Sequence, residues 1–303
     1  MSDIRKEMSR DSDNPFDIRD GRAMISLGPW TPDVHCPYSC LFCYVPGGFL
    51  QYYSLEIDDI CTYLLDRKNA FEIIYISGDT DSFAPPRLDK GLMLLKRLAV
   101  EFEKNILITT RFAMDIDTVK QLKNISNVLL DKNKKLFVCI SISCPYNNRR
   151  VEPLPIPSVS DRIDTLSLLK KNELYSILAM RPFLPIYSSD DYLGLINSVA
   201  HSVDLILGEV WYHDPDKVMW AKLTGNSSIS RGVSSKTKMR FNEGNKEWEA
   251  WNDPEMEKII RDYCYSLNIP FFMESSPAIK HLQAQDKLHQ KYHNQATRML
   301  EIH

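Results

Sequence analysis

The sequence predicts an α/β fold, a partial (β/α)6 TIM-like barrel followed by a C-terminal extension. Three observations carry that expectation. Apolar runs of strand length alternate six times with segments of helical period. The runs are continuous in apolar residues rather than alternating with polar ones, as in parallel strands covered by helices. The alternation stops after residue 212. Right-handed β-α-β crossovers repeated in this way curl toward a barrel and place functional groups at the C-terminal ends of the strands.

The elements follow in order. Residues 1–20 are polar and charged and read as a tail. AMISLG (23–28) is the first strand. Residues 54–68 form an amphipathic helix, with Leu55, Ile57, Ile60, Cys61, Leu64 and Leu65 on one stripe, so Cys61 belongs to the core. FEIIYISG (71–78), NILITTR (105–111), KLFVCISIS (135–143), LYSILAMRP (174–182) and DLILGEVWY (204–212) are the next five strands. Helices are expected over 88–104, 114–123, 158–172, with Ser160 as N-cap, and 189–203. The barrel therefore spans 21–212, and 213–303 is an extension covering the substrate. Within it, helical patterns return at 253–268 and 278–293, with a strand at 269–275 between them.

Composition narrows the function. The 303 residues include 44 % hydrophobic and 25 % charged side chains, as expected of a globular protein. No apolar stretch is long enough to span a membrane, and the N-terminus has no secretory pattern, so a cytoplasmic protein is expected. The net charge of −3 argues against a dedicated duplex-DNA binder. Seven cysteines, an odd number, favour metal binding, catalysis or buried thiols over a disulfide framework.

Three of those cysteines decide the reading. Cys36, Cys40 and Cys43 follow the first strand with the spacing C-x3-C-x2-C. Three thiolates on one short loop hold three irons of a four-iron cluster and leave the fourth iron open to chemistry. The alternative is a structural zinc in a non-catalytic metal-binding protein. Zinc requires a fourth ligand, and no second C-x2-C pair exists.

This segment resembles the signature of the radical S-adenosylmethionine (SAM) superfamily, with Phe42 at the aromatic position before the last cysteine. Further pieces are similar to its spore photoproduct lyase-like branch: His35-Cys36-Pro37-Tyr38, Gly78-Asp79-Thr80-Asp81 with Pro85, Thr109-Thr110-Arg111, Ser141 and Ser143, Glu152-Pro153 with Arg162, and Arg181-Pro182. The resemblance covers roughly residues 23–212. It implies a [4Fe-4S] cluster on Cys36, Cys40 and Cys43, reductive cleavage of SAM, and a 5′-deoxyadenosyl radical that abstracts hydrogen from substrate. It implies an external electron donor such as flavodoxin or ferredoxin. It leaves open whether the enzyme is a lyase, an oxidoreductase or a transferase.

The same resemblance assigns cofactor contacts. Phe42 packs on the adenine and Tyr44 sits near the cluster. Ser77, Gly78, Asp79 and Thr80 occupy the place that binds the SAM amino group, where the superfamily often has Gly-Gly-Glu. Arg111 meets the SAM carboxylate, a pairing suited to a guanidinium fork. Ser141 or Ser143 binds the ribose, and Arg181 faces the same pocket.

Several residues carry two readings. Asp81 is either a ligand-site residue or a helix cap. Arg162 reads as a salt-bridge partner. Cys139 shares a strand face with Ser141 and Ser143 and is a candidate hydrogen donor, since the lyase's own cysteine has no counterpart here. Cys139, Cys144 and Cys264 form a candidate second cluster. Glu209 and His213, at the end of the sixth strand, are candidates for substrate contact or proton transfer. His281, His289 and His293 read as a solvated face. The stretch 222–251 combines basic residues with Trp248 and Trp251, a pattern that grips single-stranded nucleic acid when the rings are exposed. Acidic residues dilute its charge, so a small substrate, nucleoside or nucleotide in character, is expected ahead of DNA-lesion repair.

Overall fold

The computed structural model describes residues 17–19, 21–27, 36–44, 56–78, 80–225, 227, 229–238, 247–282 and 284. The main sheet runs through β2 (Arg22–Ile25), β3 (Ile73–Ile76), β4 (Asn105–Thr110), β5 (Leu136–Ser141), β6 (Tyr175–Met180) and β7 (Leu205–Gly208), all parallel. These are the six expected strands. A short strand β1 (Asp17–Arg19) pairs antiparallel with β2 at one edge. At the other edge β11 (Phe271–Phe272) adds a seventh parallel strand beside β7. The result is an open half-barrel of seven parallel strands with helices between them.

The helices between strands are α1 (Ile57–Leu65), α2 (Leu88–Glu101), α3 (Ile116–Leu130), α4 (Val159–Lys171) and α5 (Ser189–Val199). Alternate strand residues such as Ile74, Ile76, Ile108 and Ile140 face Leu94, Leu98, Leu122, Leu166 and Ile196 on these helices in one core. Burying β-branched side chains on both faces is what a covered parallel sheet demands. Cys61 belongs to this core, as its stripe implied.

Local chemistry fixes the helix starts. Asp115 caps α3 by accepting from the Thr118 N–H. For α4 the cap is Ser158, not Ser160: Ser158 accepts from Asp161 N–H and the Asp161 carboxylate accepts from the Ser158 N–H, a reciprocal box. Helix α3 continues seven residues past 123, where Asn124, Ser126 and Asn127 weaken the propensity but Ile125 and Leu129 keep the apolar stripe buried.

The opposite face of the sheet is the lumen. Ile73, Tyr75, Leu107, Phe137, Cys139 and Ile177 line it, and the lumen is filled from the C-terminal side. Residues 275–282 are helical and insert Ala278, Ile279 and Leu282 among those side chains. The segment expected as a polar terminal helix thus carries a buried apolar stripe. The nine-residue run 204–212 is also divided: β7 ends at Gly208, and β8 (Trp211–His213) belongs to a separate antiparallel sheet with β9 (Val233–Lys238) and β10 (Glu247–Asn252), in the order β8-β10-β9. Helices α6 (Val218–Thr224) and α7 (Pro254–Ser266) complete the chain. Among the described residues no helix is long and apolar enough to cross a membrane. Of the expected tail 1–20, residues 17–19 form strand β1, paired with β2, and residues 1–16 and 20 lie outside the described residues, as do His35, Asp79, His289 and His293.

Candidate active site

The C-terminal ends of the strands open into one cavity of about 230 Å³. Cys36, Cys40 and Cys43 form part of its wall on the loop after β2. They are half-buried, and none of the seven cysteines forms a disulfide. Burial pushes the Cys40 thiol up, and the Arg111 guanidinium opposes that shift. Among the described residues no three Cys, His, Asp or Glu side chains are grouped to hold a metal ion.

The loop is held on three sides. Leu41 N–H donates to the Val151 carbonyl and Cys43 N–H to the Cys40 carbonyl. Trp211, fully buried on β8, donates its indole N–H to the Phe42 carbonyl at 3.0 Å. Tyr44 meets the edge of Tyr212 at 5.6 Å between ring centres. The small antiparallel sheet therefore touches the cysteine loop directly.

At the end of β4, Arg111 is the hub. Its Nη1 donates to Glu152 Oε1 at 2.8 Å, and its Nη2 to Ser143 Oγ at 3.1 Å and to the Arg181 carbonyl at 3.3 Å. Its guanidinium carbon lies 5.1 Å from the Phe42 ring centre, a cation–π contact. Glu152 also binds Arg162, which donates from Nη2 to Oε2 and, at 2.8 Å, from Nη1 to the Ser141 carbonyl. Both are nearly inaccessible, at 3 % and 1 % exposure, so Arg162 is the ion-pair partner its sequence context suggested. Because both terminal nitrogens of Arg111 are engaged, the fork foreseen for a carboxylate is already occupied by protein groups.

Asp81 is not a helix cap; α2 begins seven residues later at Leu88. Its buried carboxylate accepts from Phe83 N–H, Thr110 Oγ1 and Arg111 N–H at 2.6–3.1 Å. Burial raises its pKa despite those bonds. It ties the end of β3 to the end of β4, and so sets where Arg111 leaves its strand. Just before it, Ser77 adopts a left-handed backbone (φ 71°), uncommon for a residue with a side chain. Its hydroxyl accepts from Ser82 N–H at 3.0 Å. A Cβ on Gly78 would come within 2.7 Å of the Met24 methyl group, so the chain passes close to β2 here.

The cavity brings together most of the residues singled out above. Phe42, Tyr44, Ser77, Gly78, Thr80 and Arg111 line it beside the cysteines, and Ser141, Arg181 and Glu209 line the side toward β5–β7. Three stand apart. Ser143 bonds to Arg111 and to the Arg181 carbonyl behind the wall. Cys139 lies in the lumen beneath the cavity, with burial pushing its thiol up to about 11. His213 is wholly buried in the antiparallel sheet, where Nδ1 is 3.1 Å from the Asp214 carbonyl and Nε2 is 3.3 Å from Ser234 Oγ. It is not at the barrel mouth, because the chain leaves the barrel after Gly208. Cys144 packs on the outer core and Cys264 on α7, whereas Cys139 faces the lumen, so the second cluster foreseen from these three has no common site. Trp248 and Trp251 are buried, at 2 % and 1 % exposure, which removes them as a base-stacking platform.

Sequence reasoning missed Arg22, Met24, Tyr38, Tyr75 and Ser275 in the wall. Tyr75 and Thr109 were recoverable from parity, since they sit two residues before Ser77 and Arg111 on the same faces. The Tyr75 hydroxyl accepts from Thr109 Oγ1 at 3.1 Å.

No family model matches the chain, and no curated protein matches it in sequence. Solved structures do match in fold. Spore photoproduct lyase in complex with a dinucleoside spore photoproduct is similar over 85 % of this chain and 78 % of its own, at 14 % identity and a TM-score of 0.60. The radical S-adenosylmethionine methyltransferase TsrM from Kitasatospora setae, with tryptophan substrate and a SAM analogue bound, is similar over 85 % of this chain and 55 % of its own, at 10 % identity and a TM-score of 0.54. The open half-barrel expected from the sequence is thus the fold this chain shares with spore photoproduct lyase and a radical SAM methyltransferase.

Proposed function

We propose that this protein is a radical SAM enzyme acting on a small molecule. The observation that carries the reading is the position of Cys36, Cys40 and Cys43: all three line one cavity at the C-terminal ends of the parallel strands, in a fold shared with radical SAM proteins. Three thiolates on one short loop suit a [4Fe-4S] cluster with one open iron better than a closed four-ligand zinc site. When bound, the cluster supplies the electron that cleaves the SAM sulfonium bond and yields the 5′-deoxyadenosyl radical.

The chain's own residues bind, orient and shield. Cys36, Cys40 and Cys43 hold the cluster, and Arg111 keeps a positive charge beside Cys40. Glu152 and Asp81 fix that charge in place. Ser77 and Thr80 offer hydroxyls, with Asp79 in the same loop, for the SAM amino group, and Ser141 for the ribose. Phe42 and Tyr44 cover the cofactor, and Tyr38, Tyr75 and Tyr212 keep the wall aromatic and exclude water. Cys139, under the floor, is the candidate hydrogen donor. The electron donor is a flavodoxin or ferredoxin, and the setting is the cytoplasm.

The test is anaerobic. Protein reconstituted with iron and sulfide, then reduced, forms 5′-deoxyadenosine from SAM, and Cys40→Ala abolishes it. A colourless protein with one zinc sinks the reading. A second reading, repair of DNA lesions, is favoured by the likeness to spore photoproduct lyase. It requires DNA binding with a steep salt slope, and binding that is absent or salt-insensitive eliminates it.

A further inference from the structure

Arg181 and Glu209 stand side by side one residue beyond Met180 and Gly208, which are partners in the β6–β7 register. Both line the cavity on the side away from the cysteines. Arg181 donates from Nε to the Gly208 carbonyl at 3.2 Å and from Nη1 to Ser275 Oγ at 2.8 Å, both neutral acceptors. The two are therefore neighbours on adjacent strands at the same cavity wall. Yet among the described residues neither enters an ion pair within 4.0 Å. The other charges of the upper barrel behave differently: Arg111, Glu152 and Arg162 are paired in a closed network.

Both side chains are half-buried at the cavity wall, where a guanidinium and a carboxylate without an ion pair between them keep hydrogen-bonding capacity for a ligand. The complement is a molecule with an anionic and a cationic group on neighbouring atoms. We propose that Arg181 and Glu209 form an aminocarboxylate site, with Arg181 taking the carboxylate and Glu209 the ammonium of an α-amino acid substrate; the proposal rests on the radical SAM reading above. Met24, Tyr75, Val210 and Tyr212 line the cavity nearby and suit an apolar or aromatic side chain. SAM carries the same aminocarboxylate chemistry. The wall beside the cysteines offers it the Ser77 and Thr80 hydroxyls near the positive charge of Arg111, whose fork is held by protein groups, which leaves Arg181 and Glu209 for a second molecule.

The experiment is calorimetric titration of the cluster-loaded protein under saturating SAM with each of the twenty L-amino acids. Each binder is then compared with its decarboxylated amine and its des-amino acid. The expected result is binding of one or a few amino acids, weakened about tenfold or more by loss of either group. Glu209→Gln and Arg181→Lys should each weaken the amino acid about tenfold while changing SAM affinity less than about threefold. Three results overturn the proposal: no amino acid binds; 5′-nucleotides bind instead and depend on Arg181; or SAM itself loses about tenfold in both variants, which gives the site to the cofactor. Deoxyadenosine formation by the unmodified protein is scored separately. If none forms but an amino acid binds with the stated dependence, the radical SAM reading fails and the site stands.

Discussion

The half-barrel and the three-stranded sheet bury their interiors on different terms. In the half-barrel, short β-branched runs are covered on one side by helices and on the other by residues 275–282. Each strand pairs with its neighbour in the chain order, apart from β11. In the small sheet, Trp211, Trp248 and Trp251 supply the bulk, and β8 pairs with a strand more than thirty residues later. The first region is assembled from repeated local units. The second is assembled by a distant pairing around three large rings, and among the described residues the buried indole nitrogens of Trp248 and Trp251 have no hydrogen-bond partner. That is a costly arrangement. Its return is contact with the cysteine loop through Trp211 and Tyr212.

Three substitutions probe that difference. Glu152→Ala strikes the half-barrel, removing the shared partner of the buried Arg162 and the half-buried Arg111. It should cost about 3–5 kcal/mol in denaturant unfolding. A loss under about 1 kcal/mol would mean that Arg111 and Arg162 find other acceptors, and that the network is not what sets the top of the barrel. Trp211→Phe strikes the contact between the regions. It keeps the ring but strands the Phe42 carbonyl, at about 1–3 kcal/mol. Hydrogen exchange should rise in residues 36–44 while β4 and β5 stay protected; unchanged exchange there would uncouple the small sheet from the loop.

The third probe is a slope against pH. Burial lowers the pKa of His213 below its ordinary value of 6.5, although Asp214 and Glu249 pull it back up. The folded state therefore binds fewer protons than the unfolded state as pH falls through 6.5, and stability drops in that direction. His213→Gln should flatten the slope between the lowered value and 6.5, read as the urea midpoint against pH. An unchanged slope would place the acid sensitivity elsewhere.

These regions also differ in how plainly they were written. The six strands and their helices were legible because a covered parallel strand needs an unbroken apolar run, and a run such as Ile73–Ile76 has no other use. The cysteine loop was legible from spacing alone. His213 was misplaced because Glu209–Asp214 continues the apolar rhythm of β7, and only the pairing of Tyr212 with Ala250 moves it into the other sheet. The stripe Ala278, Ile279 and Leu282 was hidden among lysine, histidine and glutamine, since three apolar positions suffice for a helix that touches the lumen on one side. Arg181 and Glu209 were each visible, but their failure to pair is a property of distance, which no one-dimensional pattern carries.

The insertion of residues 275–282 into the lumen also sets an order in time. On a ribosome, β2 through β7 emerge and pair first, yet Ile73, Leu107, Phe137 and Ile177 remain an uncovered greasy trough until the last of these residues clears the exit tunnel. The barrel is therefore a sticky intermediate while residues 209–282 are made, with three cysteine thiols at its rim. Nascent-chain chaperones become part of this protein's folding problem.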